Sequence, residues 1–242
     1  PKQDRLICVG DYVDGYPDSY LVIERLIQLN VESNFKNIYL LGNHDSWMAD
    51  ILNNDLRALQ TGQKNIFMYK YAHHWTQGGA ATFFSYANQI DPIPDWDKHM
   101  QFFNNLKLYH IENNILFIHA GWDTNLYGND FKTAAQVDPD SIIWDRTLFS
   151  KAIHFQHLLN KGYTVNDDKT QFGGFDKIFI GHTAVDSDFI TEFPNLKVCN
   201  IHNVDTGAGF KGKLTAYRLE DGEIFQSDPA NNYYTVNPRQ IK

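Results

Sequence analysis

The stretch from Leu6 to Asp14, LICVGDYVD, constrains this chain more than any other. Leu6, Ile7, Cys8 and Val9 form an apolar run of the kind a fully buried strand shows, and Gly10 ends it with a residue that permits a turn. Asp11 therefore sits at the carboxyl end of a central strand, where open α/β sheets place their ligands. Asp14 follows on the same loop. Pro17-Asp18-Ser19 then reads as a turn and helix start, and Leu21, Val22, Leu26, Ile27 and Leu29 recur at helical spacing.

The same unit returns with other polar residues at its tip. Ile38 to Leu41 is a strand followed by Gly42-Asn43-His44-Asp45, Ile115 to Ile118 one followed by His119-Ala120-Gly121, and Ile178 to Ile180 one followed by Gly181-His182-Thr183. Carboxylate, amide oxygen and imidazole together are the donors a hard or borderline divalent metal takes. Four such strand ends point to a shared site.

The remaining segments fill in the architecture. Residues 46–59 and 97–106 are expected to be helical, as are residues 149–159. Residues 64–95, rich in aromatics and carrying His73, His74 and Gly78-Gly79, read as an irregular surface or lid region beside the site, with the two histidines at the surface. Residues 123–140 read as loop. Residues 196–204 read as one strand ending in Asp205-Thr206-Gly207, and residues 213–219 pair with residues 224–226 across Asp221-Gly222, a hairpin signal. Helices alternating with strands, then hairpins, predict a mixed α/β layered fold.

Composition bounds the function. A chain of 242 residues, 43% hydrophobic, buries a sizeable core, and no linker, repeat or low-complexity tract divides it. The net charge of -8 disfavours nucleic acid as main partner, because proteins that track phosphate backbones cluster Lys and Arg. Cys8 and Cys199 lie in apolar strand-like runs and are expected as reduced, buried thiols, which fits the cytoplasm. The sequence has no apolar run of the roughly 20 residues a membrane helix needs, so no membrane is expected as partner.

Gly10-Asp11-Tyr12-Val13-Asp14, Gly42-Asn43-His44-Asp45, His119-Ala120-Gly121 and Gly181-His182-Thr183 resemble the ordered series G-D-x-V-D, G-N-H-[DE], H-[AG]-G, G-H-T of calcineurin-like metallophosphoesterases. The match runs over roughly residues 4–215. Asp205-Thr206-Gly207-Ala208 and Gly212-Lys213-Leu214 are similar to the closing strands of bacterial members related to the Ser/Thr protein phosphatases and the diadenosine tetraphosphatases. The resemblance implies a four-layer α/β/β/α sandwich and hydrolysis of phosphoester bonds by in-line attack of a metal-bound hydroxide. It implies two divalent metal ions (Mn, Fe or Zn), with Asp11 bridging them and Asn43, His119 and His182 completing the shell of the second. His44 becomes the general acid for the leaving oxygen, with Asp14 fixing its tautomer. A metal pair can clamp both oxygens of a displacement, and phosphoryl transfer asks mainly for positioning and charge neutralisation.

The departures from that pattern carry as much information. The family begins with D-x-H on an earlier strand, and the ten residues before Asp11 do not accommodate that strand and its helix, which need about 25. Asp97-Lys98-His99, the D-x-H this chain has, lies in a helical pattern and is expected to be a decoy. The expectation is a single domain, residues 1–242, that lacks its first strand and helix, by truncation rather than by natural loss. Gly15 and Leu41 stand where the Ser/Thr branch has phosphate-clamping arginines. Arg146, in Trp144-Asp145-Arg146, resembles the phosphate-binding arginine of tetraphosphatase-like relatives, its alternative being an ion pair with Asp145 or another carboxylate on a solvated face. Ala184 stands where other branches have a second metal-binding histidine. His202, at a further strand end, is expected to be structural or to support a ligand from behind, rather than to be a ligand itself. The substrate expected is a small phosphorylated or dinucleotide compound; the alternatives are a phosphoprotein Ser/Thr phosphatase and a non-catalytic member lacking one metal site.

Overall fold

The computed structural model describes residues 4–33, 36–89 and 94–234. Its described residues divide into two compact units, one drawn from Pro1–Leu106, Gly209–Lys211 and Pro229–Lys242, the other from Lys107–Ala208 and Gly212–Asp228.

The first unit opens with strand, loop and helix in the expected order, but the strand expected to be fully buried and central is two residues long and half-buried, with Leu6 exposed, and pairs with one strand among the described residues. β1 (Ile7–Cys8) pairs in parallel with β2 (Ile38–Tyr39), in register Ile7 to Ile38 and Cys8 to Tyr39. α1 (Ser19–Glu32) connects them. α2 (Asn43–Asn54) begins after Leu40, Leu41 and Gly42, three residues earlier than expected, so Asn43 and His44 lie in its first turn. α3 (Leu56–Gln60) follows.

The segment expected to be irregular is helical. α4 (Lys64–Lys70), α5 (Ala72–His74), a π-helical turn (Trp75–Gly79) and α6 (Ala80–Ala87) run through it before α7 (Trp96–Asn104). Its aromatic residues, which read as surface, supply core: Phe67, Tyr71, Phe83 and Tyr86 are buried with Tyr20 and Ile23 of α1, Met48, Ile51 and Leu52 of α2, and Phe102 and Phe103 of α7. Tertiary burial outweighs the local Gly-Gly signal. The Asp97-Lys98-His99 tripeptide lies on α7, as expected. The fully buried His99 ring stacks on Tyr20 at 5.2 Å, with Nε2 2.7 Å from Glu24 Oε1 and Nδ1 2.8 Å from the Tyr86 hydroxyl. Burial lowers its pKa despite the Glu24 carboxylate, and both of its nitrogens are engaged.

The second unit is built on a five-stranded sheet in the order β3-β4-β5-β7-β6. β3 (Tyr109–Glu112), a short strand without a buried face that the sequence pattern does not announce, forms a hairpin with β4 (Ile115–Ile118). The hairpin turns on Asn113 and Asn114, both left-handed at φ 50° and 59°, as a two-residue turn of this twist requires. α8 (Phe131–Val137) and α9 (Pro139–Trp144) occupy much of the stretch read as loop, because Phe131, Ala134, Ile142 and Ile143 are buried. α10 (Thr147–Asn160) and α11 (Asp167–Thr170) precede β5 (Lys177–Ile180), which lies parallel to β4.

After α12 (Ser187–Glu192), the single strand expected over residues 196–204 is two: β6 (Lys197–Val198) folds back antiparallel on β7 (Ile201–Asn203). Leu196 and Cys199 adopt left-handed backbone at φ 55° and 53°, which breaks the strand. The expected hairpin is present as β8 (Thr215–Tyr217) paired with β9 (Ile224–Gln226). Leu116, Ile118, Ile178, Ile180, Val198 and Ile201 form a core with Trp122, Phe131, Leu148 and Phe149. On the alternate positions of the same strands, His110, Phe117, Phe179 and His202 stand opposite one another in register, a ladder of rings across β3, β4, β5 and β7. The fold is mixed α/β, as expected.

Candidate active site

In the first unit, the loop after β1 is folded onto the start of α2. Asp45, fully buried, accepts hydrogen bonds from the backbone N–H groups of Asp11 (2.7 Å), Tyr12 (2.8 Å) and Gly42 (2.9 Å). That one carboxylate fixes both motif loops, and sequence reasoning assigned it no role. The N–H of His44 donates to Asp11 Oδ1 at 3.1 Å, so the Asp11 carboxylate rests on the N-terminal turn of α2. Glycine is required at position 42 because a Cβ there would lie 2.2 Å from Asp11 Oδ1. Asp11 and Asp14 both hold left-handed backbone, at φ 62° and 75°, an unfavourable state for residues with a side chain that tends to cluster at functional sites.

Asp14 is buried as well. Its Oδ2 lies 2.6 Å from His44 Nδ1 and 2.7 Å from His74 Nε2, while Oδ1 accepts from the Thr82 hydroxyl at 2.6 Å. Its backbone N–H donates to the same Thr82 oxygen at 2.9 Å. Burial pushes the Asp14 carboxyl up, but the two imidazoles and their hydrogen bonds outweigh it and hold the group at about 2. His74 corrects a sequence expectation: it is 3% exposed, whereas its neighbour His73 is at the surface. Trp47 lies against all three rings, 5.0 Å from His44, 5.3 Å from His73 and 5.1 Å from His74. Asn43 is buried beside His44 at the start of α2.

In the second unit, His119 directly follows β4 and His182 follows β5 by two residues. The N–H of Gly181 donates to the His119 carbonyl at 2.8 Å, drawing the two strand ends together. The imidazoles stand 5.1 Å apart, inclined by 65°. Two rings so placed fit two nitrogen donors on one borderline divalent ion. His182 too is left-handed, at φ 63°. Asn203, buried at the end of β7, donates to the Thr183 carbonyl at 2.7 Å and accepts from Asp205 N–H at 3.0 Å, which ties the two loops together.

Arg146 reaches toward this loop: its guanidinium donates to the His182 carbonyl at 3.2 Å and the Thr183 hydroxyl at 3.0 Å, and the residue is exposed. Asp145 turns instead to the start of α10, accepting from Leu148 N–H and the Thr147 hydroxyl. His202 is 3% exposed, stacks on Phe179 at 4.8 Å and meets Tyr217 at 5.1 Å.

The sequence pattern of the calcineurin-like phosphoesterases matches residues 1–186, and with it both the Asp11–His44 loops and the His119–His182 pair. The chain belongs to that family. This calcineurin-like phosphoesterase is 23% identical over 224 residues to serine/threonine-protein phosphatase 1 of Salmonella typhimurium, covering 91% of this chain and 81% of the relative. It is 26% identical over 221 residues to serine/threonine-protein phosphatase 2 of Escherichia coli, covering 91% and 82%. A crystal structure described as that of a candidate diadenosine tetraphosphatase is similar at a TM-score of 0.49 and 18% identity, over 93% of this chain and 80% of that one. No helix among the described residues is long and apolar enough to cross a membrane.

Proposed function

We propose that this phosphoesterase hydrolyses phosphoric monoesters or the phosphoanhydride of a small dinucleotide, with His44 as general acid. The observation that carries this reading is the 2.6 Å contact between His44 Nδ1 and the buried Asp14 carboxylate. An anionic carboxylate there takes the N–H of Nδ1, so Nε2 is the atom that hands a proton to the leaving oxygen. The two imidazoles, against the effect of burial, keep Asp14 an ionised acceptor, and the His44 ring cannot rotate without leaving it.

Asp11, Asn43, His119 and His182 are proposed as ligands of the second of two divalent ions, Mn, Fe or Zn. The first ion of this family's pair draws on the D-x-H tripeptide as well as on Asp11. Such ions, when bound, neutralise phosphoryl charge and lower the pKa of water. Arg146 is proposed to bind the phosphoryl group: one backbone carbonyl and one hydroxyl already orient its guanidinium, so little entropy is lost when it grips an anion. The two free cysteines, Cys8 and Cys199, agree with a reducing compartment such as the cytoplasm.

A second reading, a phosphoprotein Ser/Thr phosphatase, is favoured by the names of the two bacterial relatives. Gly15 and Leu41, without a guanidinium, count against it. Hydrolysis of para-nitrophenyl phosphate with added Mn, compared with a phosphopeptide and a dinucleoside tetraphosphate, separates the two. The leading reading expects turnover of the small substrates above that of the peptide. Peptide turnover with none on the dinucleotide would establish the second.

A further inference from the structure

Asp14 is shared by two imidazoles on one oxygen, and the second of them comes from a segment sixty residues away. His74 Nε2 lies 2.7 Å from Asp14 Oδ2, the atom that also faces His44 Nδ1. The segment carrying His74 is stapled to the Asp14 loop throughout its length. Gly15 N–H donates to the Gly78 carbonyl at 3.3 Å, Asp14 N–H to the Thr82 hydroxyl, and Tyr20 N–H to the Ser85 hydroxyl at 3.0 Å. The π-helical turn of Trp75–Gly79, with Gly78 at φ 110°, bends the chain there. Gly79 makes room for the ring itself, since a Cβ would stand 2.5 Å from His74 Cδ2.

We propose that His74 is a positioning residue for His44, acting through the carboxylate they share; this rests on the reading of His44 as general acid. A carboxylate oxygen with room for two donors, buried where water does not reach, stays in one rotamer only while both donors are present. Without His74, Oδ2 is left partly unsatisfied, Asp14 can swing toward another donor, and the His44 ring loses its fixed direction. Thr82, on Oδ1, holds the far side of the carboxylate and does not replace the missing N–H. The donor needed at position 74 is an N–H at the reach of Nε2, which the amide of glutamine supplies and that of asparagine, one methylene shorter, does not.

Leaving-group dependence tests this on the whole chain with Mn supplied. A general acid matters most when the leaving oxygen is basic, so turnover of phenyl phosphate and of para-nitrophenyl phosphate is compared for each variant. His74→Asn is expected to lose about 10-fold or more on phenyl phosphate and distinctly less on para-nitrophenyl phosphate, and His74→Gln to stay within about 3-fold of the parent. The double variant His44→Ala/His74→Asn is expected to be no slower than His44→Ala alone, since residues acting as one unit are not additive. Equal losses on both substrates, an additive double variant, or a glutamine no better than asparagine would overturn the proposal. His44→Ala separates this failure from failure of the reading beneath it, because equal loss on both substrates there removes His44 as the acid. Should His74→Asn not fold, His74→Gln and Gly79→Ser, which crowds the ring out, give the same comparison.

Discussion

His44 and Asp11 meet at a single hydrogen bond yet answer to different chemistry. His44→Ala should lower turnover by about 10²-fold or more while leaving metal content intact, whereas Asp11→Asn should reduce both; elemental analysis beside kinetics reads the split, and equal metal loss in the two would remove the general-acid role. His202 makes a prediction of another kind. Its two ring nitrogens are buried and find no hydrogen-bond partner among the described residues. Burial, with Lys197 and Lys177 adding to it, lowers its pKa from 6.5 to about 4. A base lowered in the folded state binds its proton first in the unfolded chain. The stability it leaves is therefore whole above pH 6.5 and is lost as pH falls from 6.5 toward 4, by up to about 3 kcal/mol. His202→Phe keeps the stack on Phe179 and removes the titration. Urea unfolding should show it as stable as the parent, or about 1 kcal/mol more so, at pH 7, with the gap widening at pH 5. A gap that narrows in acid would show that the ring is already charged in the folded protein.

At the scale of the element, the α4–α6 segment is a structural support for the Asp14 loop. Phe83 of α6 is 2% exposed and packs on Phe67 at 4.6 Å and Trp75 at 5.7 Å. Phe83→Ala should cost about 3 to 5 kcal/mol, read by denaturant unfolding. A segment that merely covered the surface would lose under about 1 kcal/mol. The aromatic run and the Gly-Gly pair of this segment looked irregular because local signals cannot say which rings are taken into a core. The β6–β7 turn was hidden for a related reason: Leu196 and Cys199 are left-handed without being glycine or asparagine, and only the surrounding packing makes them so.

For the whole molecule, bound ions should be felt as stability. A ligand at a hundred times its dissociation constant stabilises by about 2.7 kcal/mol, which for a chain of this size raises Tm by roughly 5 to 10 °C. Added Mn should therefore raise Tm, and a chelator should reverse the shift and abolish hydrolysis of para-nitrophenyl phosphate. An unchanged Tm across a Mn titration, with turnover that survives the chelator, would exclude the metal reading. The net charge of -8 works in the same direction, since an acidic chain lowers its self-repulsion by taking up cations.

The apolar strands, the order of their polar tips and the hairpin at Asp221-Gly222 were legible in the sequence, because a strand's hydrophobic run and a turn's residue types are properties of a few neighbours. The placement of Asp11, Asn43, His119 and His182 after these strands was legible in the same way, their role as ligands being the proposal made above. The second imidazole beside Asp14 was not legible. His74 lies sixty residues from its partner, in a stretch with no motif around it, and Asp45 and Asn203 look like ordinary polar residues until their loops are folded. Their roles are created by contacts distant in sequence, and those contacts are decided when the helices and strands pack.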